Sequence, residues 1–326
     1  MLKDYLQLFR AHTAPATILA LLTPYLIAGG NNLTVILILF ILGHFVHYFS
    51  FGHNSLMDYW IDKDDPSKAH HPLPSGRIKL EDATKVILYG QSVTSILLSL
   101  VILYYSMNPA LSFLFLLIYI VFGHVYNDGL DHRSVHSWLP ISICFSGLVL
   151  VTYTFVRGLD FIGILISLWA FLSEVYDIGL LGNVKDLWNL FEIYNPLRRY
   201  TTYTLNMPIC MKKGIVVFFW ILRGVITTII LYVVLHLLSL PLSNYILLTI
   251  FTVVELYAIT KTCRILVEVM DRNKLLSLFG LSEAFEFFRF TCLAPASWTL
   301  ILMVYGLAYF TSFNKLLWGT RLGPRV

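Results

Sequence analysis

The sequence predicts an all-α fold, an integral membrane bundle of about nine transmembrane helices. Three observations carry that expectation. Of 326 residues, 57% are hydrophobic and only 13% are charged, against about 45–50% and about 25% in soluble domains. Nine low-charge runs are long enough, or nearly so, to cross a bilayer, which takes about 20 apolar residues. The connections between them alternate between stretches without Lys or Arg and stretches rich in both. A soluble globular enzyme of this length would leave too much apolar surface uncovered. A disordered or collagen-like chain is excluded by the same composition.

The elements follow in order. Residues 2–11 mix Leu2, Tyr5, Leu6 and Phe9 with Lys3, Asp4 and Arg10, the pattern of a helix lying along the interface. The spans are expected near 14–30, 33–52, 83–106, 109–126, 138–157, 160–181, 214–238, 242–260 and 292–312. The first has the length of a cleavable signal peptide, but the many spans after it favour a retained helix. The connections at 31–32, 106–109 and 236–244 carry no Lys or Arg, whereas those at 53–82, 127–137, 182–213 and 261–291 carry many. All but four of the 23 basic residues belong to the N-terminus, to those four connections or to their helix flanks; the exceptions are Arg157, Lys315, Arg321 and Arg325. By the positive-inside rule the N-terminus and the large connections are cytoplasmic. Nine spans then put the C-terminus on the opposite side, a placement its three basic residues fit poorly.

Cys144, Cys210, Cys263 and Cys292 are scattered without a CxxC pair, so neither a disulfide framework nor a zinc site is expected. No internal repeat divides the chain. Residues 1–326 read as one transmembrane domain with the lipid bilayer as its surroundings and no nucleic-acid partner.

Chemistry concentrates where the second span ends. Asn54, Asp58 and Asp62 stand at i, i+4 and i+8, which lines three oxygen donors along one helix face. Pro66 disfavours helix in the residue before it, so the carboxylates lie near a helix C-terminus, whose dipole also favours a cation. Hard oxygen donors suit Mg²⁺, which keeps waters and commonly bridges to phosphates. The bland alternative is a solvated acidic loop. It is weakened because these acids begin inside an apolar stretch, where ionisable groups are functional by default. Lys68, His70, His71 and Arg77 follow in a Pro- and Gly-rich turn. They gather positive charge beside the acids, as a metal-bound diphosphate requires, or they balance the acids and face an anionic leaflet.

Asn54-x3-Asp58-x3-Asp62 followed by Pro72-Leu73-Pro74-Ser75-Gly76-Arg77-Ile78 resembles the first signature of the UbiA-type intramembrane prenyltransferases. That signature reads N-D-x-x-D-x-x-x-D and then R-P-L-P-S-G-R-I. Ser55 replaces the second Asp. His71, a pH-sensitive group, replaces the Arg before Pro72. After the sixth span, Asn183, Lys185 and Asp186 resemble the second signature, N-x-x-[KR]-D-x-x-x-D, with Asn183 one residue closer than usual. Its last Asp falls on Leu190, and Asn189 or Glu192 lies within a helical turn of that place. Tyr126 matches a family Tyr, whereas Leu130 takes the place of a diphosphate-binding Lys, so that contact is either lost or moved to His132 or Arg133. Arg10 resembles an Arg kept before the first span, or it serves only as an interfacial anchor. The signature segments are 54–78 and 183–192.

The resemblance implies a nine-helix fold and Mg²⁺-dependent transfer of a prenyl group from a prenyl diphosphate to a small or lipid acceptor. It implies catalytic roles for Asp58, Asp62, Asp186 and Lys185, and metal ligation by Asn54, Asp58, Asp62 and Asp186. Substrate contacts would come from Asn54, Lys68, His71, Arg77, Tyr126, Arg133, Asn183 and Arg10. Alternatives within the same superfamily are polyprenyl-phosphate phosphoribosyl transfer, suggested by Asp62-x3-Pro66-x-Lys68-x2-His71-Pro72-Leu73-x2-Gly76, and terpene cyclisation. A non-catalytic scaffold or carrier is the alternative outside enzymology. Glu174 and Asp177, deeper in the sixth span, would hold an acceptor or pair with Arg223 in the seventh. Glu255 in the eighth has the same two readings, with Lys261 and Arg264 nearby. Arg198-Arg199 and Lys212-Lys213 read as leaflet-binding charges.

Overall fold

A computed structural model describes residues 1–64, 68–130, 138–176, 213–268 and 272–320. Among them the protein is all-helical. The helices are α1 (Leu2–Leu8), α2 (Ala14–Ile27), α3 (Leu33–Met57), α4 (Tyr59–Asp62), α5 (Leu80–Tyr105), α6 (Pro109–His124), α7 (Trp138–Tyr153) and α8 (Phe161–Tyr176). They continue with α9 (Lys213–Leu237), α10 (Leu242–Glu268), α11 (Arg272–Thr291) and α12 (Ala296–Trp318). A 3₁₀ turn over Ala11–Thr13 leads into α2, and a π-helical turn over Val125–Leu130 extends α6. Six of these are long and apolar enough to cross a membrane, and α2, α7 and α8 are shorter apolar helices. Together they coincide with the nine expected runs, and the protein is an integral multi-pass membrane protein.

The centre of the bundle is α2. Every residue in it except Ala16 is buried, as an all-round apolar helix requires. It packs against α3, α7, α11 and α12. Where α6 and α7 meet, a Cβ on Gly147 would stand 3.1 Å from Phe115 O and 3.1 Å from Tyr119 N. Glycine is what lets these two backbones come so close. Asn32 caps α3 by accepting from Thr34 N at 2.9 Å and Val35 N at 3.4 Å, which satisfies donors that the helix itself leaves orphaned.

Two sequence expectations change. Residues 261–291 were expected to be a cytoplasmic connection. Instead α10 runs on to Glu268 and α11 returns antiparallel along it. Asn244, at the start of α10, donates to Cys292 O at 2.7 Å and to Ala294 O at 2.8 Å, just beyond the end of α11. Helix α11 is hidden in the hydropathy pattern because it carries Glu283, Glu286 and Arg289. These last two join Arg223 of α9 and Glu255 of α10 in a buried quartet. Arg223 lies 2.9 Å from Glu255 and 3.1 Å from Glu286, and Arg289 pairs with Glu255. All four side chains are no more than 6% exposed. Trp169 Nε1 and Ser173 Oγ of α8 donate to Glu286 Oε1 at 2.5 Å and 3.1 Å. Two cations and two anions from α9, α10 and α11, with two neutral donors from α8, thus tie four helices together.

The second change follows from the first. With α11 added, α12 ends at the N-terminal end of the bundle, not the opposite one. Trp318 Nε1 lies 3.3 Å from His12 Nδ1, and Gln7 Nε2 donates to Leu317 O at 2.8 Å. The end of α12 therefore stands beside the N-terminal segment, at the same end of the bundle as Gln7 and His12, whereas residues 321–326 lie outside the described residues.

Candidate active site

The acidic ladder forms at that same end. Asp58 N donates to Asn54 O at 2.9 Å, and Asp62 N to Asp58 O at 2.8 Å. Helical pairing therefore continues from α3 into α4 and keeps Asn54, Asp58 and Asp62 on one face. Asp58 is buried. Lys68 Nζ stands 3.6 Å from Asp62. Arg10, in a left-handed backbone conformation at the entry to the 3₁₀ turn, donates to Asn54 Oδ1 at 3.1 Å. Ser55, where the acidic signature has its second Asp, turns away and donates to Leu8 O at 3.2 Å, tying α3 to α1.

Arg77 is held by partners within the protein. It meets Asp4 at 2.5 Å and donates to Gln7 Oε1 at 3.1 Å, His70 O at 2.6 Å and Ser75 Oγ at 3.1 Å. These bonds fasten the 68–79 turn to α1. The N-terminal amine at 2.9 Å, together with Arg77, holds the Asp4 carboxyl below the usual range. His71 packs against the rings of His70 and Trp318. Burial, reinforced by the charges of Lys68 and Arg10, pushes its pKa down to about 2. The imidazole is therefore neutral at physiological pH and does not stand in for the Arg charge of the family signature.

Beside the ladder a cavity of about 240 Å³ opens between α3, α5, α6, α7 and α8. Its mouth is polar, with Arg10, His53, Asn54, His124, Tyr126 and Asn127. Its depth is apolar, with Phe45, Phe49, Leu98, Leu116, Phe145 and Leu148. Glu174 also lines it, on the side of α8. A polar mouth over an apolar shaft suits a ligand with a charged head and a hydrocarbon tail.

The sequence reading brought Arg10, Asn54 and Tyr126 to this mouth. It missed the residues around Asn127. Asn54 Nδ2 donates to Asn127 Oδ1 at 3.4 Å, and Asn127 Nδ2 lies 3.5 Å from His53 Nδ1. His53 Nε2 is 2.9 Å from Asp128, and His124 Nδ1 is 3.2 Å from the other oxygen of Asp128. The i,i+4 spacing of His124 and Asp128 was the available signal; nothing in the sequence tied it to His53. Glu255 pairs with Arg223 and Arg289, which gives it a structural role. Arg133, Asp177, Asn183, Lys185, Asp186, Asn189, Leu190 and Glu192 lie outside the described residues.

The profile of the UbiA prenyltransferase family matches residues 15–276. Among solved structures, a UbiA homologue from Archaeoglobus fulgidus bound to GPP and Mg²⁺ is similar at a TM-score of 0.53 and 14% identity, covering 92% of this chain and 99% of its own. An apo UbiA homologue from Aeropyrum pernix K1 is similar at 0.58 and 13%, covering 90% and 96%. A digeranylgeranylglyceryl phosphate synthase is similar at 0.55 and 18%, covering 96% and 99%. At these identities the likeness shows a shared fold. No curated protein sequence matches the chain significantly.

Proposed function

The chain belongs to the UbiA prenyltransferase family, and from that premise we propose that it moves a prenyl group from a prenyl diphosphate, bound with Mg²⁺ at the cavity mouth, to a small or lipid acceptor. The single observation that carries this reading is the acidic ladder standing beside a cavity with a polar mouth and an apolar shaft. The relatives from Archaeoglobus fulgidus hold GPP or DMAPP together with Mg²⁺, which supports the donor and the ion.

The donor set fits the ion. Asn54, Asp58 and Asp62 offer hard oxygens on one face, and hard oxygens are what Mg²⁺ takes. Asp186, with Lys185 and Asn183, completes the site from the second signature. Magnesium held by these residues would supply positive charge that stabilises diphosphate as a leaving group. Arg10 and Lys68 add charge-assisted hydrogen bonds to phosphate oxygens. Tyr126 stands at the mouth beside the head group, and Arg133 is a further proposed head-group contact. His71 orders the 68–79 turn as a neutral ring, and Arg77 anchors that turn to α1. The tail lies along Phe45, Phe49 and Leu98, where dry walls keep water from quenching the cation. The electron pair of the broken allylic C–O bond leaves with diphosphate, and the acceptor forms the new bond to carbon and gives up its proton to the released diphosphate or to water. The whole chain acts as one domain.

The test is a reconstituted full-length protein given geranylgeranyl diphosphate, geranyl diphosphate or phosphoribosyl diphosphate with a panel of acceptors. Release of diphosphate from a prenyl donor is expected only with Mg²⁺. Asp58→Asn should lower it about 100-fold or more, the scale of losing one charge-stabilising group. Consumption of phosphoribosyl diphosphate alone would overturn prenyl transfer in favour of glycosyl transfer. Consumption of none would leave a carrier or scaffold.

A further inference from the structure

We propose that His53, His124 and Asp128 form a second cation site at the cavity mouth, selective for an imidazole-preferring divalent ion such as Zn²⁺. The three side chains come from α3, from the last residue of α6 and from the π-helical turn after it. One ligand atom from each lies within 4.8 Å of the other two. Zinc bonds to nitrogen and oxygen run about 2.0–2.2 Å, which sets tetrahedral ligand atoms about 3.4 Å apart, so an ion would open the Asp128 contacts of 2.9 Å and 3.2 Å slightly and draw the wider pair inward. His124 and Asp128 are 45% and 48% exposed and can turn that far, while buried His53 supplies the fixed point. Imidazole nitrogens select Zn²⁺, Fe²⁺ or Co²⁺ over Mg²⁺, so this donor set differs in kind from the all-oxygen ladder.

Asp128 now holds both rings by hydrogen bonds. Entry of the ion replaces those bonds with metal bonds to His53 Nε2, His124 Nδ1 and the carboxylate. Each neutral ring then carries its proton on the opposite nitrogen. For His53 that is Nδ1, beside the Asn127 amide. A half turn of the amide presents its oxygen to Nδ1, the outer-sphere partner that metal-bound histidines need. The turn gives up the contact between Asn127 and Asn54, already long at 3.4 Å. The π-helical turn that sets the position of Asp128 is a distortion that recurs at functional sites. The site stands independently of prenyl transfer.

Co²⁺ serves as the spectroscopic probe. Metal-free full-length protein in detergent or nanodiscs should bind one equivalent with visible d–d bands, and Zn²⁺ should displace it. His124→Ala and Asp128→Asn should each weaken Co²⁺ by at least about tenfold, since even losing an outer-sphere partner costs 10–100-fold. Asp58→Asn should leave binding unchanged. His124→Cys should keep the ion and add a thiolate-to-Co²⁺ charge-transfer band, which guards against a variant that merely misfolds. No binding by the wild type would reduce the trio to an ion-pair cluster. Binding lost in Asp58→Asn but kept in His124→Ala would place the ion on the acidic ladder. Either result overturns the proposal.

Discussion

His71 shows how a side chain can keep its place in a motif and change its chemistry. In sequence it occupies the position of a family arginine, and a histidine there reads as a cation with a pH switch. In the fold it is half-buried against the rings of His70 and Trp318, and this burial, with the charges of Lys68 and Arg10, pushes its pKa down to about 2. The unfolded chain takes a proton there near the ordinary value of 6.5. Below that value the unfolded state binds a proton that the folded state refuses. Stability is therefore full above about pH 6.5 and falls as pH drops from there toward 2. His71→Gln removes this linkage. The variant should lose less thermal stability than the wild type between pH 7.5 and pH 5 in matched detergent melts. An identical loss in both proteins would show that His71 titrates normally in the fold. Arg77 makes the complementary point. The motif suggests a phosphate ligand, and its bonds to Asp4, Gln7 and His70 show a clasp on α1.

At the scale of elements, α11 is the instructive helix. Its charges exclude it from a hydropathy search, yet it runs inside the bundle because those charges are answered. Glu286 meets Arg223, Trp169 and Ser173, and Arg289 meets Glu255 and Thr227. Intramembrane ionisable residues persist when they face a bundle interior and pair there. Removing one partner leaves an uncompensated buried charge. Arg289→Met should destabilise by about 3–5 kcal/mol, the usual cost of breaking a buried pair. Unfolding of the detergent-solubilised protein by heat or denaturant measures it, and a change under about 1 kcal/mol would show that the quartet behaves like a surface pair. Asn244, which holds both carbonyls beyond the end of α11, closes the α10–α11 hairpin at its far end.

For the whole molecule, the added helix brings the end of α12 beside the N-terminal segment. Trp318 beside His12 predicts that Lys63→Cys and Gly319→Cys react with an impermeant thiol reagent from the same side of a sealed vesicle. Labelling from opposite sides would restore the nine-span topology. The sequence alone determined the membrane environment, nine of the helices and the acidic ladder. These depend on composition and on spacings within one helix, which local chemistry dictates. It could also point to the family, because Asn54, Asp58, Asp62 and the Pro72–Ile78 run lie close together in the chain. Only the tertiary structure decided the rest. It placed α11 in the core, turned Arg77 and Ser55 toward α1, neutralised His71 and joined His53 to His124 and Asp128. Each of these depends on partners tens to hundreds of residues away. A charge reads as exposed until the residue that answers it is known, and that residue is found only when the helices pack.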